Sequence, residues 1–188
     1  MLRYHTFNKR LFAHFVDGLV MMPLLLMEHF TANFNNMWLV AGGQAAYLLL
    51  WTAYLAISHA RWGQTLGKRL VQIKVVDVQD ENRLISYRKA FLRESIPFVI
   101  GVIALIIFIA DARLTGETDP FLNDSIRHSQ LFVSGWMLIE LITMLFSAKR
   151  RAVHDFMASS VVIDLAEVRR NYFKEKQAQL LQSLQTSK

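Results

Sequence analysis

Arg10, His14 and Asp17 lie in a stretch from Lys9 to Phe30, KRLFAHFVDGLVMMPLLLMEHF, that is otherwise mostly apolar. On a helix turning by ~100° per residue, His14 falls roughly 40° to one side of Arg10 and Asp17 roughly 20° to the other. Met21 and Glu28 continue the same line. A charge near the centre of a bilayer costs on the order of 3 kcal/mol or more, so such a stripe must face protein or water. Glu140 is the second anomaly, set within SQLFVSGWMLIELITMLFS. A carboxyl near mid-membrane is either neutral, because burial raises its pKa, or paired. Two chemistries remain open for Glu140: a hydrogen-bonded acid that joins helices, or a group that binds H⁺ and a cation in turn. Asp17 as carrier, with His14 as relay one turn away, would suit the second.

Four apolar blocks position these groups: Lys9–His29, Met37–Ile57, Phe91–Ala110 and Ser129–Ser147. Each is close to the 20 or so residues that cross a bilayer. Lys and Arg settle the expected orientation. Counting Lys9, Arg10 and Arg93 at the block edges, the segments before the first block, between the second and third, and after the fourth hold 19 of the 21 basic residues, and the other two connections hold only Arg113 and Arg127. The positive-inside rule then places both termini in the cytoplasm. The formal charge of +6 is therefore a topology signal, and no nucleic-acid partner is expected. There is no cysteine, which excludes disulfides, thiolate metal sites and thiol nucleophiles. No metal or other cofactor is expected.

The segment after the second block reads GQTLGKRLVQIKVVDVQDENRLISY. GQTLGK lacks the GxxxxGK[ST] spacing of a phosphate loop, and Arg69 stands where Ser or Thr would hold Mg²⁺. Arg61, Trp62, Lys68 and Arg69 read instead as a segment lying on lipid headgroups. Leu70–Val78 is rich in β-branched residues and Gln79–Asn82 is turn-like, so a hairpin is expected whose second strand lies near Leu84–Ser86. Phe156–Ile163 is apolar but too short to span, and is expected at the interface or tucked under the bundle. Residues from Glu167 onward suggest a partly ordered amphipathic helix. No HExxH, GxSxG or paired nucleophile and base is present, so a non-enzymatic role is expected. These readings give an all-α membrane protein with four transmembrane helices, both termini cytoplasmic, and a short β-like cytoplasmic hairpin between helices 2 and 3. Residues 7–164 would form the membrane domain and 165–188 a polar cytoplasmic tail.

Three stretches in order, KRLFAHFVDG, GQTLGKRLVQIKVVD and RRAVHDFMASSVVI, resemble the RDD family of bacterial membrane proteins, named for an Arg and two Asp. The resemblance implies Arg10, Asp17 and Asp155 as the signature network, with Arg10 and Asp155 paired at the cytoplasmic mouth. It matches Gly63, Gln64, Thr65, Gly67 and Lys68 to the family's GQTxGK loop, Asp77 to its VVD end, and Arg151 and His154 to its RRAxHD stretch. Ser159 and Ser160 depart from the family's usual Gly-Thr. The resemblance implies the inner membrane of a bacterial cell and a lipid bilayer as partner. Exchange of monovalent cations for protons has been suggested for some members, with Asp17, Glu140 and His14 as the candidate residues here. Four helices are few for a lone transporter, so that activity would imply a homo-oligomer. The alternative is a non-transporting assembly or scaffold factor in which the network is structural.

Overall fold

The computed structural model describes residues 2–32, 36–116 and 124–186, and leaves the side chains of Glu28, His29 and 124–130 undescribed, so the reading of Glu28 as part of the stripe lies outside the described residues. After a 3₁₀ turn at Leu2–Tyr4, α1 runs Phe7–Ala32 and α2 Met37–Arg61. A short helix α3 (Leu66–Leu70) and strand β1 (Ile73–Asp77) come next, then α4 (Tyr87–Thr115) and α5 (Asp124–Phe146). The chain ends with a short α6 (Val153–Met157), strand β2 (Ser160–Asp164) and α7 (Leu165–Thr186).

Local chemistry sets the helix boundaries. Asn36 Oδ1 accepts from the N–H groups of Trp38 and Leu39 at 3.0 and 3.3 Å, and Ser86 Oγ accepts from Lys89 N–H at 3.4 Å. Both occupy N-cap positions, where a short polar side chain satisfies otherwise orphaned donors. Gly116 ends α4 at φ 75°, a left-handed conformation that glycine adopts at no steric cost. α1, α2 and α4 are long and apolar enough to cross a membrane. In α5 the described apolar part, Leu131–Phe146, is shorter. Phe12, Phe15 and Leu19 on α1, and Val99, Ile103 and Ile106 on α4, are exposed, as lipid-facing residues would be. α4 packs between α2 and α5, while most of its apolar length stays unburied. Its Phe108 and Ala112 are buried against Val40 and Ala41.

The expected local hairpin does not form. β1 pairs antiparallel with β2, in the register Ile73↔Asp164 to Asp77↔Ser160, while Leu84–Ser86 carries no strand. The turn-like segment closes only as far as Asp77 N–H on the Arg83 carbonyl, at 3.0 Å. β-Branched alternation marks a strand but does not name its partner. Pairing with Val161–Ile163 buries valines on both sheet faces: Ile73, Val75 and Val162 pack with Ala13, Ile85 and Ala90, and Val76, Val161 and Ile163 pack with Tyr4. Phe156–Ile163 is thus the end of a short helix and a strand, tucked under the bundle. The sheet, α3 and α6 form one compact module where the start of α1, the end of α2, the start of α4 and the end of α5 meet.

Candidate functional site

Asp17 is 1% exposed, and three donors from its own chain reach its carboxylate. Tyr54 O–H and Gly67 N–H donate to Oδ1, both at 2.8 Å, and Thr65 O–H donates to Oδ2 at 2.5 Å. The GQTLG stretch makes this possible. Gly63 turns the chain at φ 69°, and its carbonyl accepts from Val75 N–H at 2.7 Å. Gln64 Nε2 donates to the Ile73 carbonyl at 2.8 Å, and Thr65 caps α3 by accepting from Lys68 N–H at 3.3 Å. Gly67 permits a close approach of α3 to α1, since a Cβ there would lie 2.1 Å from the Ala13 carbonyl oxygen. These glycines and the cap let α3 dock on α1 with the Gly67 amide aimed at Asp17.

Asp155, the third residue of α6, is fully buried. Its Oδ2 accepts from Arg10 Nη1 at 2.6 Å and from Ala152 N–H at 3.0 Å. Its Oδ1 accepts from Arg93 Nη1 and, at 3.1 Å, from the Ser160 hydroxyl. Burial alone would raise this carboxyl's pKa, but the Arg10 and Arg93 guanidiniums overcome it and hold the group well below the usual carboxylate range. Arg10 Nε also donates to Thr6 Oγ1 at 3.0 Å, whereas its Nη2 is buried without a partner. Arg151 clamps the turn by donating to the carbonyls of Asp155 and Ser160, each at 3.0 Å. Two guanidiniums on one carboxylate leave excess positive charge, which Glu94 Oε1 offsets in part from 3.8 Å of Arg93 Nε.

A buried polar chain runs between the two carboxylates. Lys68 Nζ lies 2.8 Å from His59 Nε2. His59 Nδ1 lies 3.4 Å from Glu94 Oε1, too poorly aligned for a hydrogen bond. Burial pushes the Lys68 ammonium down to about 8, with Arg93 acting the same way and Glu94 and Asp17 opposing. Lys68 therefore points into the protein, not onto headgroups as expected. Asp77 is bound by Lys89 and by Gln79 N–H at 3.0 Å. Lys89 is the main reason its carboxyl lies below the usual range.

The structure brings Arg10 and Asp155 together and keeps Asp17 in a separate pocket of donors. His14 is exposed, meets Trp51 edge-on at 6.1 Å between ring centroids, and makes no hydrogen bond to Asp17. Glu140, expected near mid-membrane, instead faces α6: His154 N–H donates to Oε1 at 3.3 Å, and His154 Nδ1 contacts Oε2. Tyr54 carries no mark in the sequence, and nothing there gives Arg93, His59 or Ser160 a place in the network. Arg93 looked like an ordinary rim charge, although its i,i+3 spacing from Ala90 was a signal of a shared buried face. Neither a curated protein nor a solved structure matches the chain. A family model does, over residues 4–159, and with Arg10, Asp17 and Asp155 all buried at the junction of helices and module, the chain belongs to the RDD family.

Proposed function

We propose that the chain is a non-transporting multi-pass membrane protein, an assembly or scaffold factor, in which Arg10, Asp17 and Asp155 lock the module beneath the helices. One observation carries this reading: both signature carboxylates are already fully engaged. Asp17 accepts three hydrogen bonds from its own chain, and Asp155 accepts four. A carrier must instead exchange a proton for a cation and be reached alternately from each side. The 19-to-2 distribution of Lys and Arg favours the module on the cytoplasmic side of a bacterial inner membrane, with α5 as a fourth span.

A second reading, exchange of a monovalent cation for a proton by a homo-oligomer, is favoured by Glu140. That residue is 8% exposed and, among the described residues, its carboxylate is bound by His154 alone, so it has fewer partners to give up than Asp17. The test is flux into liposomes holding a pH-sensitive dye, with Na⁺, K⁺ and Li⁺ pulses on wild type, Asp17→Asn and Glu140→Gln at matched reconstitution. Silence from folded wild type, with loss of fold in Asp17→Asn, supports the scaffold. Cation-dependent proton movement overturns it, and its loss in a folded Glu140→Gln would identify the carrier.

A further inference from the structure

The end of α2 and the α3 turn enclose a cavity of about 540 Å³, walled by Tyr54, Ser58, Trp62, Gln64, Thr65 and Arg69. The site chemistry described above does not use this space. The hydroxyls of Tyr54 and Thr65 are spent, since both donate to Asp17 and accept from the N–H groups of Leu66 and Lys68. Beside the Ser58 hydroxyl and the Gln64 Oε1, what remains is a set of donors. Gln64 gives one N–H to the Ile73 carbonyl and keeps a second, the Trp62 indole can only donate, and the Arg69 guanidinium carries five N–H groups. Arg69 is exposed and forms no ion pair among the described residues. The sequence holds no Asp or Glu between residues 30 and 76. A donor-lined cavity with an unpaired guanidinium selects an anion.

Its surroundings say which kind. Trp62, Leu66 and Leu70 are 55%, 50% and 69% exposed, and Arg61 lies over the Trp62 ring at 5.5 Å. All stand just past the end of α2, a helix of membrane-spanning length. Exposed Trp, Leu and Arg side by side at that level match the boundary between headgroups and acyl chains. At ~30 Å³ per water the cavity has room for about 18 waters, more than a bare phosphate needs.

We propose that this cavity binds the phosphate-bearing headgroup of an anionic phospholipid, with Arg69 on the phosphate and Trp62, Leu66 and Leu70 against the glycerol and the start of the acyl chains. Native mass spectrometry of the full-length protein in detergent, titrated with phosphatidylglycerol or phosphatidylcholine, tests it. Wild type is expected to retain one phosphatidylglycerol under conditions that strip phosphatidylcholine. Arg69→Ala should weaken retention about tenfold and Arg69→Lys less, because only the guanidinium binds phosphate bidentately. Arg88→Ala, another exposed basic residue at the same end of the molecule, should change nothing. Retention that is equal in wild type, Arg69→Ala and Arg69→Lys, or that falls as far in Arg88→Ala, would overturn the site. Displacement of phosphatidylglycerol by excess inorganic phosphate would overturn the lipid assignment in favour of a soluble phosphate ligand.

Discussion

Removing the charge of Asp155 should be the most damaging single change in the protein. Asn keeps the shape but leaves Arg10, 9% exposed, buried without its counter-charge, and Arg93, 5% exposed, with only the more distant Glu94. At an effective dielectric of about 20, each pair near contact is worth roughly 4 kcal/mol of gross attraction, much of it offset by desolvation. Breaking a buried pair from one side costs about 3–5 kcal/mol net. Two guanidiniums lose their partner here, so Asp155→Asn is expected to cost about 4 kcal/mol. Asp77→Asn is the control. Its partner Lys89 has a side chain 34% exposed, and that pair should contribute about 1 kcal/mol or less. Unfolding in mixed micelles titrated with SDS, followed by tryptophan fluorescence, measures both. The wild type also has a signature in pH. The Asp155 carboxyl is depressed in the folded state, so its contribution is complete above the unfolded pKa of about 4 and is lost as pH falls further. Asp155→Asn should abolish that acid limb. Replacing all three charges, as Arg10→Met, Arg93→Met and Asp155→Leu together, should recover most of the loss. An Asp155→Asn protein within about 1 kcal/mol of Asp77→Asn would refute the argument.

Other expectations follow from single positions. Lys68 has a folded pKa lowered to about 8 from 10.5, so above pH 8 the unfolded chain binds the extra proton and stability should rise with pH toward 10.5; unfolding titrations should show a gain of about 1–2 kcal/mol that Lys68→Met lacks. Gly67→Ala should destabilise by about 2–3 kcal/mol, because its Cβ meets the Ala13 backbone, whereas Gly42→Ala, with nothing within 4 Å, should be neutral or slightly stabilising in the same assay. Ser159 sits at φ 48°, so Ser159→Gly should stabilise by about 1 kcal/mol by relieving a left-handed non-glycine residue, read as a higher SDS midpoint.

Much of this was legible because a membrane simplifies the physics. Apolar length located the helices, and burial of Arg10, Asp17 and Met21 follows from the stripe read at ~100° per residue. His14 lies on the same stripe yet is exposed beside Trp51, so periodicity fixed the face but not its edges. The family resemblance joined Arg10 to Asp155. It did not reveal that Asp155 takes a second guanidinium, because Arg93 stands where a helix entering a bilayer commonly carries a positive charge. The setting of Glu140 was hidden for a related reason: its partner, His154, lies beyond the apolar block in the chain. The β1–β2 pairing was beyond local reading, since which segments meet depends on where the helices return the chain. The departure at Ser159 and Ser160 now has a physical reading. A glycine would suit the first position's φ, and a threonine at the second would keep the hydroxyl that Asp155 and Arg93 share.

The pairing of β1 with β2 also orders events in time. The α3 donors to Asp17 emerge directly after α2, so the Asp17 pocket can close as soon as the first helix hairpin exists. β1 must wait, because α4 and α5 lie between it and β2. At roughly 5–20 residues per second, that delay is on the order of ten seconds. Throughout it the Val75 and Val76 edge is unpaired, and Arg10 and Arg93 lack the Asp155 carboxylate. A chain stopped before residue 153 stays in that condition, which marks it for aggregation or proteolysis. Completion of the last helix is thus registered chemically, as the arrival of one carboxylate between two waiting guanidiniums.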